Sequence, residues 1–279
     1  MTLTLQLIED YLQRLTEDER GAATIDKYRR DLLRFYEFLP PDKVLDKGAV
    51  LSWKERLVTG KYASSSVNVM LASVNGLLTF AGRPEWRAKF LRRQRSPFRD
   101  ERRELGRDEY AKLVETARKE KRHRLTLMME TICSTGIRVS ELAFVTVEAV
   151  RAGRAELTLK GKCRRILFPA ALVRKLLRYA AERHKACGPI FTNKAGKPVS
   201  RHRVWYEMKK LGARAGVAAS KVFPHNLRHL FARTYYALER DLSKLADLLG
   251  HSSVETTRIY IATAGCEHLR QLNKMKLVM

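Results

Sequence analysis

Apolar residues recur at helical spacing along nearly the whole chain, and this periodicity restricts the fold more than any other feature. Leu3, Leu7, Tyr11 and Leu15 follow one another at four-residue steps, and Ile25, Tyr28, Leu32, Phe35, Phe38 and Leu39 form a second stripe. Each segment therefore has one face to bury, as an amphipathic helix does. A third helix is expected around residues 50–58 and a fourth over 65–80, with Ser64 and Ser65 as its caps. Beyond residue 107 the pattern predicts helices at 108–119, 124–134, 139–144, 170–184, 201–211, 225–238, 242–249 and 254–260. One stretch breaks the helical rhythm: residues 156–159 and 165–168 are short, β-prone runs flanking Lys160-Gly161-Lys162, which reads as a hairpin. The expected class is mostly α with a small β-sheet.

Between the two helical blocks, residues 83–103 contain Pro84 and Pro97, little periodicity, and Arg92, Arg93, Arg95, Arg99, Arg102 and Arg103. This predicts three parts: a helical domain over 1–85, a basic linker over 86–104 and a second domain over 105–279. The charge is uneven across them. Of 55 Lys and Arg and 30 Asp and Glu, net +25, residues 1–100 hold 18 and 13, or +5, which leaves 37 and 17, or +20, for the remainder. Such an excess points to a polyanionic partner, nucleic acid before any other, and a basic tether would lie along phosphates.

The apolar runs, such as that from Leu125 to Cys133, are broken by polar residues well short of the roughly 20 needed to cross a bilayer. The N-terminus has two acids in its first ten residues and no basic-then-apolar leader, so no membrane partner is expected and the chain should stay in the cytoplasm. Cys133, Cys163, Cys187 and Cys266 show no Cys-x-x-Cys spacing, which argues against a zinc module and a disulfide framework alike.

Four stretches carry chemistry. In Pro224-His225-Asn226-Leu227-Arg228-His229, a helix starting near Pro224 sets His225, Arg228 and His229 on one face. Two histidines at i and i+4 could ligate zinc, but the metalloprotease form needs a Glu where Asn226 stands, and Arg228 would place a positive charge beside the metal. In Leu249-Gly250-His251-Ser252-Ser253-Val254-Glu255, Gly250 ends one helix and Ser252 with Glu255 forms a capping box for the next, so His251 sits at a sharp turn. Tyr260 falls two turns into that next helix, where an amphipathic core tyrosine would also serve. In Thr135-Gly136-Ile137-Arg138-Val139-Ser140-Glu141-Leu142, Gly136 breaks a helix and Arg138 opens the next, placed either to meet a phosphate or to pair with Glu141 on the surface. Lys160 lies at the hairpin tip, where basic residues are ordinary.

Taken together, these stretches resemble the catalytic domain of the tyrosine recombinases, the phage-type integrases with Xer- and Cre-like members. Thr-Gly-x-Arg-x-Ser-Glu-Leu, His-x-Leu-Arg-His and Leu-Gly-His, with a Tyr nine residues after the last His, occur in order over about residues 105–279. Residues 1–85, including Thr24, Tyr28, Asp31, Leu32 and Phe35, are similar in pattern to the family's helical, SAM-like core-binding domain. With no arm-binding domain before it, the plan is expected to follow the simple Xer or Cre arrangement. The resemblance implies a two-domain, C-shaped clamp around double-stranded DNA, acting as a tetramer without cofactor, metal or ATP. It also implies an active-site set of Arg138, Lys160, His225, Arg228, His251 and Tyr260. The family's Gly-Lys-Gly is Leu159-Lys160-Gly161-Lys162 here, so Lys162 competes with Lys160.

The chemistry implied is strand cleavage by Tyr260, leaving a 3′-phosphotyrosyl ester that a second 5′ hydroxyl reseals. A type IB topoisomerase uses similar chemistry, and a catalytically silent DNA-binding protein of this fold is the other alternative. The tail over 264–279, with Cys266, Leu269, Leu272 and Met275 at helical spacing, must bury its stripe. It would do so on its own domain or, as the resemblance implies, on a neighbouring protomer.

Overall fold

A computed structural model of the protein describes residues 1–92, 101–159, 162–251, 253–261 and 273–275, except the side chains of 101, 158, 159, 162 and 163. The chain divides into two compact units, Met1–Arg95 and Ser96–Met279.

In the first unit, α1 (Leu5–Glu17), α2 (Ala22–Phe38), α3 (Lys47–Thr59) and α4 (Ser64–Phe80) enclose an apolar core. Thr4 and Asp46 cap α1 and α3 by accepting from the backbone N–H groups of Leu7 and Ala49. α4 supplies the centre, with Val67, Leu71, Val74, Leu77 and Leu78 buried. It begins at Ser64, one residue earlier than its pattern suggests, so Ser64 and Ser65 lie in its first turn and Ala63 takes the cap position with no side-chain bond. The one buried carboxylate of this core, Asp31, accepts from Lys27 Nζ at 2.5 Å and Ser73 Oγ at 3.0 Å, as a buried charge requires. Asn75 and Asn68 each donate to and accept from the backbones of Ala88 and Leu91, holding the chain against α4. Arg93, Arg95 and Arg99 of the expected linker lie outside the described residues.

The second unit contains α5 (Arg107–Lys119), α6 (His123–Thr135), α7 (Val147–Arg151), strands β1 (Arg154–Leu159) and β2 (Lys162–Leu167), then α8 (Ala170–Glu182), α9 (Arg201–Arg214), α10 (Pro224–Glu239), α11 (Leu242–Leu249) and α12 (Val254–Ile261). α10 packs against both α6 and α12, with Leu227 in the main core and Ala232 in a smaller cluster with Leu245, Leu249 and Tyr260. Residues Val139–Phe144 form a 3-10 helix in place of the expected α-helix. α7, capped by Thr146, went unforeseen because five residues are too few to show a period.

The hairpin is antiparallel and tighter than expected. Its register runs from Arg154↔Leu167 to Leu159↔Lys162, so only residues 160 and 161 join the strands and Phe168 falls beyond β2. Among the described residues no helix is long and apolar enough to cross a membrane. Of the tail, only residues 273–275 are described, and they are helical.

Candidate active site

α6 ends where Gly136 takes a left-handed conformation (φ 65°, ψ 18°), and a Cβ there would overlap the Phe231 ring. Only glycine meets both demands without strain. Ile137, fully buried, anchors the turn, and Arg138 follows in extended geometry as the residue that opens the 3-10 helix. Its backbone N–H donates to Glu141 Oε2 at 2.8 Å and its guanidinium to Glu141 Oε1 at 2.9 Å. The Arg138–Glu141 pair allowed by the sequence thus exists, but Glu141 is 1% exposed, so it is not a surface pair. The rest of the Arg138 guanidinium remains accessible and donates to the Gly250 carbonyl at 3.4 Å.

Arg228 is held more rigidly. Pro224 at the first position of α10 aims the helix, and the next turn carries Arg228 into the interior, 1% exposed. It donates to the carbonyls of Gly136 at 2.6 Å and Leu249 at 2.7 Å and to His251 Nε2 at 2.9 Å. Its Nε is buried with no hydrogen-bond partner among the described residues. Burial, then the neighbouring Arg138, pushes its pKa down to about 10, so it is charged at neutral pH. Among the described residues its hydrogen-bond acceptors are all neutral groups, and a buried cation with no anion bonded to it is costly. An anion at this point would relieve that cost.

His251 follows Gly250, which ends α11 in the left-handed region (φ 62°, ψ 48°). A guanidinium only donates, so Nε2 of His251 accepts and Nδ1 carries the proton, donating to the buried Thr257 Oγ1 at 2.8 Å. α12 begins at Val254, where its pattern places it, and the Glu255 N–H donates to Ser253 Oγ at 3.2 Å; Ser252, the expected cap, lies outside the described residues.

Tyr260, 9% exposed, stands at the focus of these elements. Its ring centroid lies 5.3 Å from that of His225, 4.4 Å from His229 and 4.9 Å from His251, with the Arg228 guanidinium carbon 5.7 Å away. Burial first, with Arg228 adding to it in every case, pushes each of the three imidazoles down to about 4. All three are therefore neutral at pH 7 and able to accept a proton. His229 also faces Glu104, its Nδ1 being 3.5 Å from Oε1.

Five of the six expected residues, Arg138, His225, Arg228, His251 and Tyr260, thus come together from three of the four stretches. Lys160 lies outside the described residues, and for Lys162 only its backbone, paired with Leu159, is described.

Sequence reasoning overlooked Arg164. On β2 it donates to Glu141 Oε2 at 2.5 Å and, through Nε and Nη2, to the Leu248 carbonyl at 3.2 and 2.7 Å. The signal was available in strand alternation. Arg164 shares a face with buried Ile166 and lies opposite buried Leu157, so a charge sits on the inward face of the hairpin. Among the described residues, Arg138, Arg164 and Arg228 and the Glu141 carboxylate they share or adjoin thus meet neutral histidines around a tyrosine, a surplus of positive charge suited to a phosphate.

Comparison with known proteins agrees with this arrangement. The Phage integrase family matches residues 103–265, and the Phage integrase N-terminal SAM-like domain matches residues 8–85. Tyrosine recombinase XerA of Pyrococcus furiosus is 30% identical over 97% of this chain and 93% of its own length. Tyrosine recombinase XerD of Staphylococcus aureus is 29% identical over 91% of this chain and 92% of its own. In fold, the chain is similar to a lambda integrase dimer bound to a COC′ core site, with TM-score 0.75 and 19% identity over 95% of this chain and 97% of the other. These relatives are named as recombinases and integrases, not as topoisomerases. The chain belongs to the phage integrase family and is a tyrosine recombinase.

Proposed function

We propose that recombination by this protein proceeds through Tyr260, with Arg138, Lys160, His225, Arg228 and His251 as its partners. A phenol, with an ordinary pKa near 10, becomes a nucleophile at neutral pH when its proton leaves as the new bond forms. His225 takes that proton. Tyr260 Oη attacks the phosphorus, the bond to the 5′ oxygen breaks, and Lys160, or Lys162 in its place, gives that oxygen a proton. Arg138 and Arg228 fork onto the non-bridging oxygens as charge develops there. For His251 to donate to the phosphate as well, its proton moves to Nε2, which gives up its bond from Arg228 as that guanidinium turns to the phosphate, and the Thr257 hydroxyl turns to donate to Nδ1.

One ester replaces another, so a second 5′ hydroxyl can attack the 3′-phosphotyrosyl bond and reseal the strand in the reverse sequence. The exchange conserves bond energy and the guanidinium groups supply the charge, so the reaction runs without ATP or metal. The observation that carries this reading is Arg228, a buried cation with only neutral acceptors beside the Tyr260 ring.

In this reading the domain over 1–85 and the catalytic domain over 105–279 grip double-stranded DNA as a C-shaped clamp, with the basic segment 86–104 along the phosphates. A tetramer of cytoplasmic protomers performs the exchange, with the tail 264–279 docking on the neighbouring protomer. Tyr260→Phe, which removes only the nucleophilic oxygen, should abolish the denaturant-resistant protein–DNA adduct while DNA binding stays within about twofold of the unaltered protein. Adduct formation by this variant would overturn the assignment.

A further inference from the structure

We propose that Arg164 is a positioning residue that braces the β1–β2 hairpin against both sides of the phosphate site at once. The inference rests on the active-site reading above. Three observations carry it. The guanidinium of Arg164 is deeply buried, its side chain 7% exposed, and its hydrogen bonds to Glu141 and to the Leu248 carbonyl end on two different elements. One acceptor, Glu141 Oε2, also receives the backbone N–H of Arg138, while Glu141 Oε1 receives the Arg138 guanidinium. The other acceptor is the Leu248 carbonyl, within the last turn of α11 and three residues before His251.

A single side chain on β2 thus fixes where Arg138 can point and where the turn bearing His251 begins. Gly250 completes the fit, because a Cβ at that position would overlap Arg164 Cδ. Glu141 is shared by two arginines and cannot follow one without displacing the other. Loss of Arg164 would leave a buried carboxylate with one cation and release Arg138 from its place. A misplacement of about 1 Å in a reacting group lowers a rate on the order of 10²-fold.

A charge at this position is not sufficient. Lysine carries one compact ammonium and lacks the fork that reaches Glu141 and the Leu248 carbonyl together.

The test is a double-mutant cycle on cleavage rate. The probe is a duplex recovered from a randomised pool by covalent capture with the unaltered protein, then nicked beyond the cleaved phosphate so that the leaving fragment is lost. Arg164→Ala and Arg164→Lys should each cleave on the order of 10²-fold more slowly while binding the uncleaved duplex normally. Combined with Arg138→Ala, either should lose far less than the product of the two single losses, because the effect of Arg164 passes through Arg138.

A rate for Arg164→Lys equal to that of the unaltered protein would overturn the proposal, as would single losses that multiply in full. If Arg164→Ala does not fold, the cycle is run with Arg164→Lys alone and read in the same way. An undiminished rate for Arg138→Ala would instead sink the active-site reading on which the proposal stands, so the two failures are distinguishable.

Discussion

At the scale of single residues, burial decides what the site can do. His225, His229 and His251 all have pKa values pushed down to about 4 from an ordinary 6.5, with burial the largest cause in each. The folded protein therefore binds fewer protons than the unfolded chain between about pH 4 and 6.5, and stability rises with pH across that window. The contribution is fully present above about 6.5 and is lost as pH falls toward 4. The denaturant midpoint should accordingly drop between pH 6.5 and 4, and the drop should be smaller in His229→Phe, which retains a ring against Tyr260. A midpoint independent of pH in this range would contradict the neutral-imidazole site. Residue identity was the part of the site most legible in the sequence, because helix breakers and caps around Gly136, Pro224 and Gly250 act locally. Arg164 was not legible in the same way, since its partners lie 23 and 84 residues away.

At the scale of elements, the site depends on turns more than on helix faces. The carbonyl of left-handed Gly136 accepts from Arg228, and α10 packs against the same turn through Phe231. Gly136→Ala imposes about 1–3 kcal/mol of backbone strain and also overlaps Phe231. It should lower the melting temperature and slow adduct formation together, whereas Gly153→Ala, also left-handed but in open space, should show the strain alone. Equal behaviour of the two variants would remove the close approach from the account. Most helices were visible as periodic stripes, and the errors fell at their ends. Ser64 and Ser65 entered the helix they were expected to cap. Cap positions depend on the backbone of the preceding turn, which side-chain pattern does not encode. The 3-10 geometry of Val139–Phe144 was not legible either, because an i, i+3 pair such as Arg138–Glu141 is compatible with both kinds of helix.

At the scale of the whole molecule, the net charge of +25 is the most general statement the sequence makes about the partner. If the clamp of the proposed function neutralises phosphates along a duplex, log K should fall linearly with log[salt], at about 0.9 per phosphate contacted. A fluorescence-anisotropy titration at several salt concentrations measures that slope, and a value near zero would argue against a backbone grip. Composition changes where periodicity lapses, near Pro84 and Pro97, and that change is the ground on which the sequence places the linker. Which lysine serves as the proposed general acid was not readable, since the sequence offers no local feature separating Lys160 from Lys162.

The central claim is that Tyr260 itself becomes joined to DNA. Covalent complexes trapped on a nicked duplex, stripped of DNA by nuclease and digested with trypsin, should carry a 3′-phosphonucleotide on the peptide that begins at Ile259, with fragment ions placing it on Tyr260. A phosphonucleotide on the peptide containing Tyr235 and Tyr236, which pack in the same apolar cluster, would contradict the account at its foundation.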